Sequence, residues 1–170
     1  MSASAPQIAD PATKRSRALD CVEMLGDLTA LFEERRAQLA AGAGLSVQQW
    51  HALEEVSSEQ FMPSLFAKRR ASSAAAVSKI LRQLTDKGLV EAHVSSTDAR
   101  VRQYRLTAPG KKRLAEVRAQ RQRALDEVWM RLSGEELEQF LSAGRAVTQR
   151  LGRWTEGQRR QQEKKEKSHG

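Results

Sequence analysis

PSLFAKRRASSAAAVSKILRQLTDKGLVEAHVSSTDARVRQYRLT, residues 63–107, is the stretch whose reading decides the fold. Pro63 through Lys68 predicts a short helix, opened by a proline at a position where a missing N–H costs nothing. Arg70-Ala71-Ser72 is turn-like, and Ser73 offers an N-cap hydroxyl to a second helix that runs to Lys87. Gly88 ends that helix, because the residue after a helix usually needs a positive φ. Val77, Ile80, Leu81 and Leu84 recur at i, i+3, i+4 and i+7, the pattern of a buried face. The opposite face carries Ala75, Lys79 and Arg82, flanked by Ser78 and Gln83. Small residues let a helix sink into a DNA major groove, and the cations can meet phosphates or guanine edges.

A helical hairpin is by itself a weak signal, since many such pairs never touch nucleic acid. The next stretch adds to it. Leu89 to Val94 alternates like a half-buried strand, Ser95 to Arg100 makes a polar tip, and Val101 to Leu106 returns as a second strand.

Taken together, Val77-Ser78-Lys79-Ile80-Leu81 through Leu84, Lys87-Gly88-Leu89-Val90, Asp98-Ala99-Arg100, and Leu106-Thr107 with Gly110 resemble the winged helix-turn-helix of the MarR family of bacterial transcription regulators. The resemblance extends more loosely over residues 15–155. It implies a mostly α fold with a small β-hairpin wing, built as a winged helix-turn-helix lobe plus a helical dimerisation arm. It further implies a homodimeric, sequence-specific DNA-binding repressor, released from a near-palindromic operator by a small ligand. The expected DNA contacts are Ser73, Ala75, Ala76, Ser78, Lys79 and Arg82 on the helix, with Asp98, Arg100 and Arg102 in the wing. Asp98 would orient Arg100, whose guanidinium would enter the minor groove, where the potential is most negative. One departure is the turn, where Arg70 and Ser72 stand in place of the family's usual apolar pair.

The composition agrees with such a partner. The 170 residues carry a net charge of +8. Between residues 68 and 113 the cations are Lys68, Arg69, Arg70, Lys79, Arg82, Lys87, Arg100, Arg102, Arg105, Lys111, Lys112 and Arg113, against only Asp86, Glu91 and Asp98. A basic excess placed on the reading unit favours nucleic acid. No apolar run reaches the length of a membrane span and no secretory h-region is present, so the expected location is cytoplasmic. The single cysteine, Cys21, and three scattered histidines argue against a disulfide or a metal site. No phosphate-cradling glycine loop, HExxH or nucleophile elbow occurs, so neither an enzyme nor a cofactor is expected.

Around the lobe, residues 1–13 read as a disordered arm and 14–155 as one domain, with 14–45 and 108–155 as dimerisation helices and 46–107 as the lobe. Residues 156–170 read as a disordered charged tail. Val22, Leu25, Leu28, Phe32 and Leu39 stripe the first helix. Ser46 and Gln49 form a capping box for the second, and Ser133 and Glu136 another for the last. Leu137, Phe140, Leu141, Gly144, Val147, Leu151 and Trp154 make the cleanest stripe in the chain, suited to a symmetry mate. The ligand candidates are Leu28, Phe32, Arg35, Arg36, Trp50 and His51, an aromatic ring, an imidazole and cations that would suit a small aromatic carboxylate. Against this stands the ordinary role of such a tryptophan as core and of such an arginine as a solvated, snorkelling side chain. Two alternatives remain. Cys21 lies about where peroxide-sensing members keep a reactive thiol, although their surrounding tyrosines are absent and a small buried hydrophobe is the plainer role. Ala74-Ala75-Ala76 offers few hydrogen bonds to bases, which would also suit a non-specific architectural DNA-binding protein.

Overall fold

The computed structural model describes residues 10–58, 61–94 and 102–168. Its elements are α1 (Pro11–Gly42), α2 (Val47–Val56), α3 (Pro63–Arg69), α4 (Ala74–Asp86), β1 (Val90–Val94), β2 (Arg102–Leu106), α5 (Ala108–Val128), a 3-10 turn (Trp129–Arg131) and α6 (Gly134–Ser168). They divide within α5 into two units, Met1–Arg121 and Gln122–Gly170.

The core of the first unit is assembled from short apolar faces. Leu39 and Ala40 at the end of α1 meet Trp50, Leu53 and Val56 of α2, Phe66 of α3, Val77, Leu81 and Leu84 of α4, Val90 of β1, and Leu114 and Val117 of α5. Leu53 and Leu84 are completely buried, each contributing roughly 1.5–3 kcal/mol of transfer free energy. The predicted face of α4 is the one that packs, with Ile80 at its edge. Ser46 and Gln49 close the capping box on α2, and Ser73 Oγ accepts the Ala76 N–H at 3.1 Å to start α4.

Three helices stop in the same way. After α1, Gly44 N–H donates to Ala41 and Leu45 N–H to Ala40; after α3, Ala71 donates to Lys68 and Ser72 to Ala67; after α4, Gly88 donates to Thr85 and Leu89 to Leu84. This is the paired 5→2 and 6→1 pattern of a Schellman stop, which puts the C′ residue in the left-handed region. Gly44 and Gly88 both sit at φ 67°, but in the helix-turn-helix turn the position belongs to Ala71, at φ 47°. Its Cβ makes that conformation costly for an L-residue.

The hairpin is anchored directly behind α4. β1 and β2 pair antiparallel, from Val90 opposite Leu106 to Val94 opposite Arg102. Thr107 donates its N–H to the Leu89 carbonyl at 3.2 Å and its hydroxyl to the Gly88 carbonyl at 2.6 Å. The same hydroxyl accepts the Gly110 N–H at 3.1 Å and so caps α5. A Cβ on Gly110 would lie 2.0 Å from the Leu89 carbonyl oxygen. The Leu106-Thr107-x-x-Gly110 spacing therefore joins the end of α4, the base of the wing and the start of α5.

In the second unit, the Ser133 N–H donates to Glu136 Oε2 at 2.8 Å and the Glu136 N–H to Ser133 Oγ at 3.2 Å, completing the second capping box. The Ser133 N–H, and then its hydroxyl, which donates to Glu136 Oε2 at 2.9 Å, hold the Glu136 carboxyl below its ordinary pKa. Trp129 and Phe140 meet edge to face at 5.7 Å.

Several expectations are corrected. α1 begins at Pro11 rather than Lys14, because proline is well placed in a first turn. The expected tail from 156 is helical through Ser168, since beyond Gly157 it consists almost wholly of Arg, Gln, Glu and Lys, which are good helix formers. α5 ends at Val128, short of the 108–155 span read as dimerisation helices, and Leu125, Val128 and Leu132 lie exposed. Cys21 is exposed on α1 rather than buried. The wing tip, residues 95–101, lies outside the described residues.

Gly110→Ala should destabilise the chain by about 3 kcal/mol, because the added methyl meets backbone that cannot give. Gly88→Ala, with open space around it, should cost only about 1 kcal/mol of backbone strain. Denaturant unfolding of the two variants tests this, and equal losses would contradict the close approach.

Candidate nucleic-acid interface

The outward face of α4 is the expected one. Ala75, Ser78, Lys79 and Arg82 are exposed while Val77, Leu81 and Leu84 are buried behind them. Ala76 is half-buried, and Ser73 is exposed with its hydroxyl engaged as the cap. Among the described residues neither Lys79 nor Arg82 has an ion-pair partner. Their charges are therefore available to an incoming polyanion. Asp86 shares this side of the helix one turn beyond Arg82, and sets a negative limit to the basic face.

The turn before α4 carries Arg70, whose guanidinium lies 6.0 Å from the centre of the Phe66 ring. Ser72 is half-buried. Arg69 pairs with Glu55 of α2, which braces α3. In the wing, Arg102 is exposed on β2, and Glu91 and His93 on β1 face each other at 3.1 Å. Asp98 and Arg100 lie outside the described residues.

The ligand candidates are spread over α1 and the start of α2. Trp50 is core, 3 % exposed, and its Nε1 has no hydrogen-bond partner among the described residues. Its ring centre is 5.7 Å from that of His51. The His51 pKa is held below the ordinary value by burial, then by the positive charge of Arg70, partly countered by Glu54, with Arg36 adding to the depression. Arg36 Nε donates to the Phe32 carbonyl at 3.2 Å and Arg35 Nη1 to Gln38 Oε1 at 3.3 Å, so both guanidiniums are engaged along α1. Leu28 is half-buried and Phe32 exposed.

A cavity of about 1400 Å³ opens elsewhere in the first unit, between the end of α2, the start of α3, β2 and α5. Phe61, Tyr104, Arg105 and Arg118 are among its walls, and none of the six candidates lines it. Arg118 Nη2 donates to Ser57 Oγ at 3.1 Å, and the Phe61 ring meets Tyr104 edge-on at 6.1 Å. The sequence carries no local signal for this group, since its members come from four elements distant in the chain. Among the described residues no cluster of His, Cys, Asp or Glu could hold a metal ion, and no helix is long and apolar enough to cross a membrane.

The family model of the MarR family matches residues 43–101. No curated protein matches the chain. Solved structures do. A MarR family transcription regulator, SP03579, is 19 % identical with a TM-score of 0.76, over 85 % of this chain and 97 % of that one. A MarR family protein from Bacillus stearothermophilus is 19 % identical at a TM-score of 0.67, over 81 % and 97 %. The S. aureus MepR–DNA complex is 20 % identical at a TM-score of 0.60, over 75 % and 94 %. Residues 43–101 thus match the MarR family of transcription regulators, in a chain that shares the fold of that family's solved members.

Proposed function

We propose that the chain is a homodimeric, sequence-specific DNA-binding repressor that a small acidic ligand releases from a near-palindromic operator. The observation that carries the DNA reading is the outward face of α4, where small residues and two cations, without ion-pair partners among the described residues, stand opposite a buried apolar row. In this reading α4 enters the major groove, with Arg82 reaching base edges and Lys79 the phosphates, while Asp98 and Arg100 of the wing address the minor groove. MepR was solved bound to DNA, which supports transferring that partner to this chain.

The dimer rests on apolar surface that the single chain leaves open. On α1, Val22 is 67 % exposed; on α6, Leu151 is 58 % and Trp154 64 % exposed. α6 is about 52 Å long at 1.5 Å per residue, and its apolar row, Leu137 to Trp154, spans about half of that length and is largely exposed. Monomeric proteins rarely expose rows of this kind, and a second copy is the self-complementary cover. Two α4 helices related by a two-fold axis would then read half-sites about 10 bp apart.

For the ligand, the cationic surroundings of His51 support an acid bound near Trp50, Arg36 and Arg35. The cavity beside Phe61 and Arg118 offers a second place of similar chemistry. Such a ligand would release DNA by preferring a dimer geometry that cannot span both half-sites.

Arg82→Ala should weaken operator binding by about 1–3 kcal/mol and relax specificity at one position, whereas Lys79→Ala should weaken all sequences alike and lower the salt slope by about one. In the same titration Leu151→Glu, at a site exposed in the single chain, should sediment as a folded monomer and lose operator affinity. Full affinity in Arg82→Ala, or a dimeric Leu151→Glu, would contradict the respective part of this reading.

His51 gives a pH test. A histidine whose folded pKa lies below the unfolded value of 6.5 contributes stability that is fully present above 6.5 and is lost as pH falls through the folded value. Unfolding midpoints should therefore fall more steeply below neutrality in wild type than in His51→Gln. Parallel pH profiles would contradict the assignment.

A further inference from the structure

The end of α4 is tied to the junction of α1 and α2 by hydrogen bonds that neither junction needs for its own fold. Lys87, which follows the last turn of α4, donates from Nζ to the Gly44 carbonyl at 2.6 Å and to Gln49 Oε1 at 3.3 Å. Gln49 is a buried polar side chain in the core of the first unit. A capping-box glutamine is required only to accept the N-cap N–H, which it does from Ser46 at 3.1 Å. It goes further. Its Nε2 donates to Gln83 Oε1 on α4 at 3.1 Å.

The chemistry at each end is specific. Gly44 lies at the stop of a 32-residue helix, where unpaired carbonyls and the helix dipole favour a cation. Lys87 supplies that cation from the far end of another helix, 43 residues on. Position 87 falls beside the side on which Ile80 packs, about 80° from Lys79, about 120° from Ala75 and about 140° from Arg82 at 100° per residue, and its Nζ is bonded to the junction of α1 and α2. It is therefore directed towards α1 and not towards the face proposed to meet DNA.

We propose that Lys87 and Gln49 form a latch that sets the orientation of α4 from the carbonyl end of α1. Val22 and Leu25 of α1 are exposed in the single chain, so a change in how α1 packs in the dimer reaches α4 through this contact. Lys87 is a positioning residue in this scheme and touches no DNA. The inference rests on the DNA-reading function proposed above for α4.

Two measurements test it, and the first needs no DNA. Lys87→Met keeps the aliphatic stem and removes the charge, while Gln49→Leu removes the amide. In a double-mutant cycle of denaturant midpoints the double variant should shift by clearly less than the sum of the single shifts. Additive shifts would overturn the latch. In operator binding, Lys87→Met should lose about ten-fold in affinity, within the usual range of a coupling between sites, with an unchanged slope of log K against log salt, and Lys87→Arg should recover most of the loss. Unchanged affinity would overturn the positioning role. So would a slope reduced by about one, which marks a phosphate contact, or a lower melting temperature with full affinity per folded molecule, which marks stability alone. Wild type that binds no DNA while the cycle shows coupling would refute the function assigned to α4 and leave the physical tie standing.

Discussion

The carbonyl of Leu89 lies so close over Gly110 that any side chain there would displace the backbone, and much of the lobe depends on that approach. Because the chain leaves α4 through the Schellman stop at Gly88 and passes directly over α5, the wing begins only three residues after the helix it flanks. Thr107 fixes the arrangement from the other side, bonding both the Gly88 carbonyl and the Gly110 N–H with one hydroxyl. The base of the hairpin is thereby placed beside the end of α4 by backbone contacts and the Thr107 hydroxyl. Side chains on the outer face of α4 take no part in holding it, which leaves Lys79 and Arg82 free to be chosen for a ligand.

α4 is held at its other flank by polar contacts. Gln49, Gln83 and Lys87 tie it to the start of α2 and the end of α1, while Ser73 caps its first turn. The turn that precedes it contains Ala71 in a left-handed conformation where the two comparable stops use glycine. A helix with its buried face in the core and hydrogen bonds at both ends meets a duplex as a rigid body. In the proposed dimer, that rigidity would let a change in geometry alter the distance between two such helices.

Much of this was legible in the sequence because it depends on local chemistry. The i, i+3, i+4, i+7 row on α4, the capping residues Ser46, Ser73 and Ser133, the glycine stop at 88 and the alternating strands each follow from rules that act within a few residues. What escaped depends on distant partners or on competing tendencies. The Lys87–Gly44 contact and the cavity beside Phe61 join elements far apart in the chain, so no local pattern announces them. The segment after residue 156 read as disorder because it lacks an apolar row, yet its residues favour a helix that simply continues α6. Cys21 read as buried because cysteine usually is, whereas α1 packs into the core only near Leu39. Of the apolar rows read on α1 and α6, Leu39 enters the core, while Val22 and Leu25 on α1 and Leu141, Val147, Leu151 and Trp154 on α6 are exposed in the single chain.

The most direct test of the central claim is competition binding of the purified wild-type protein between its own upstream DNA and random duplex at fixed salt. A helix that reads sequence should hold a preference of about 10³ or more for the specific site. A preference near unity, with binding that falls away with salt equally for both duplexes, would mean that the basic face of α4 coats DNA and does not read it.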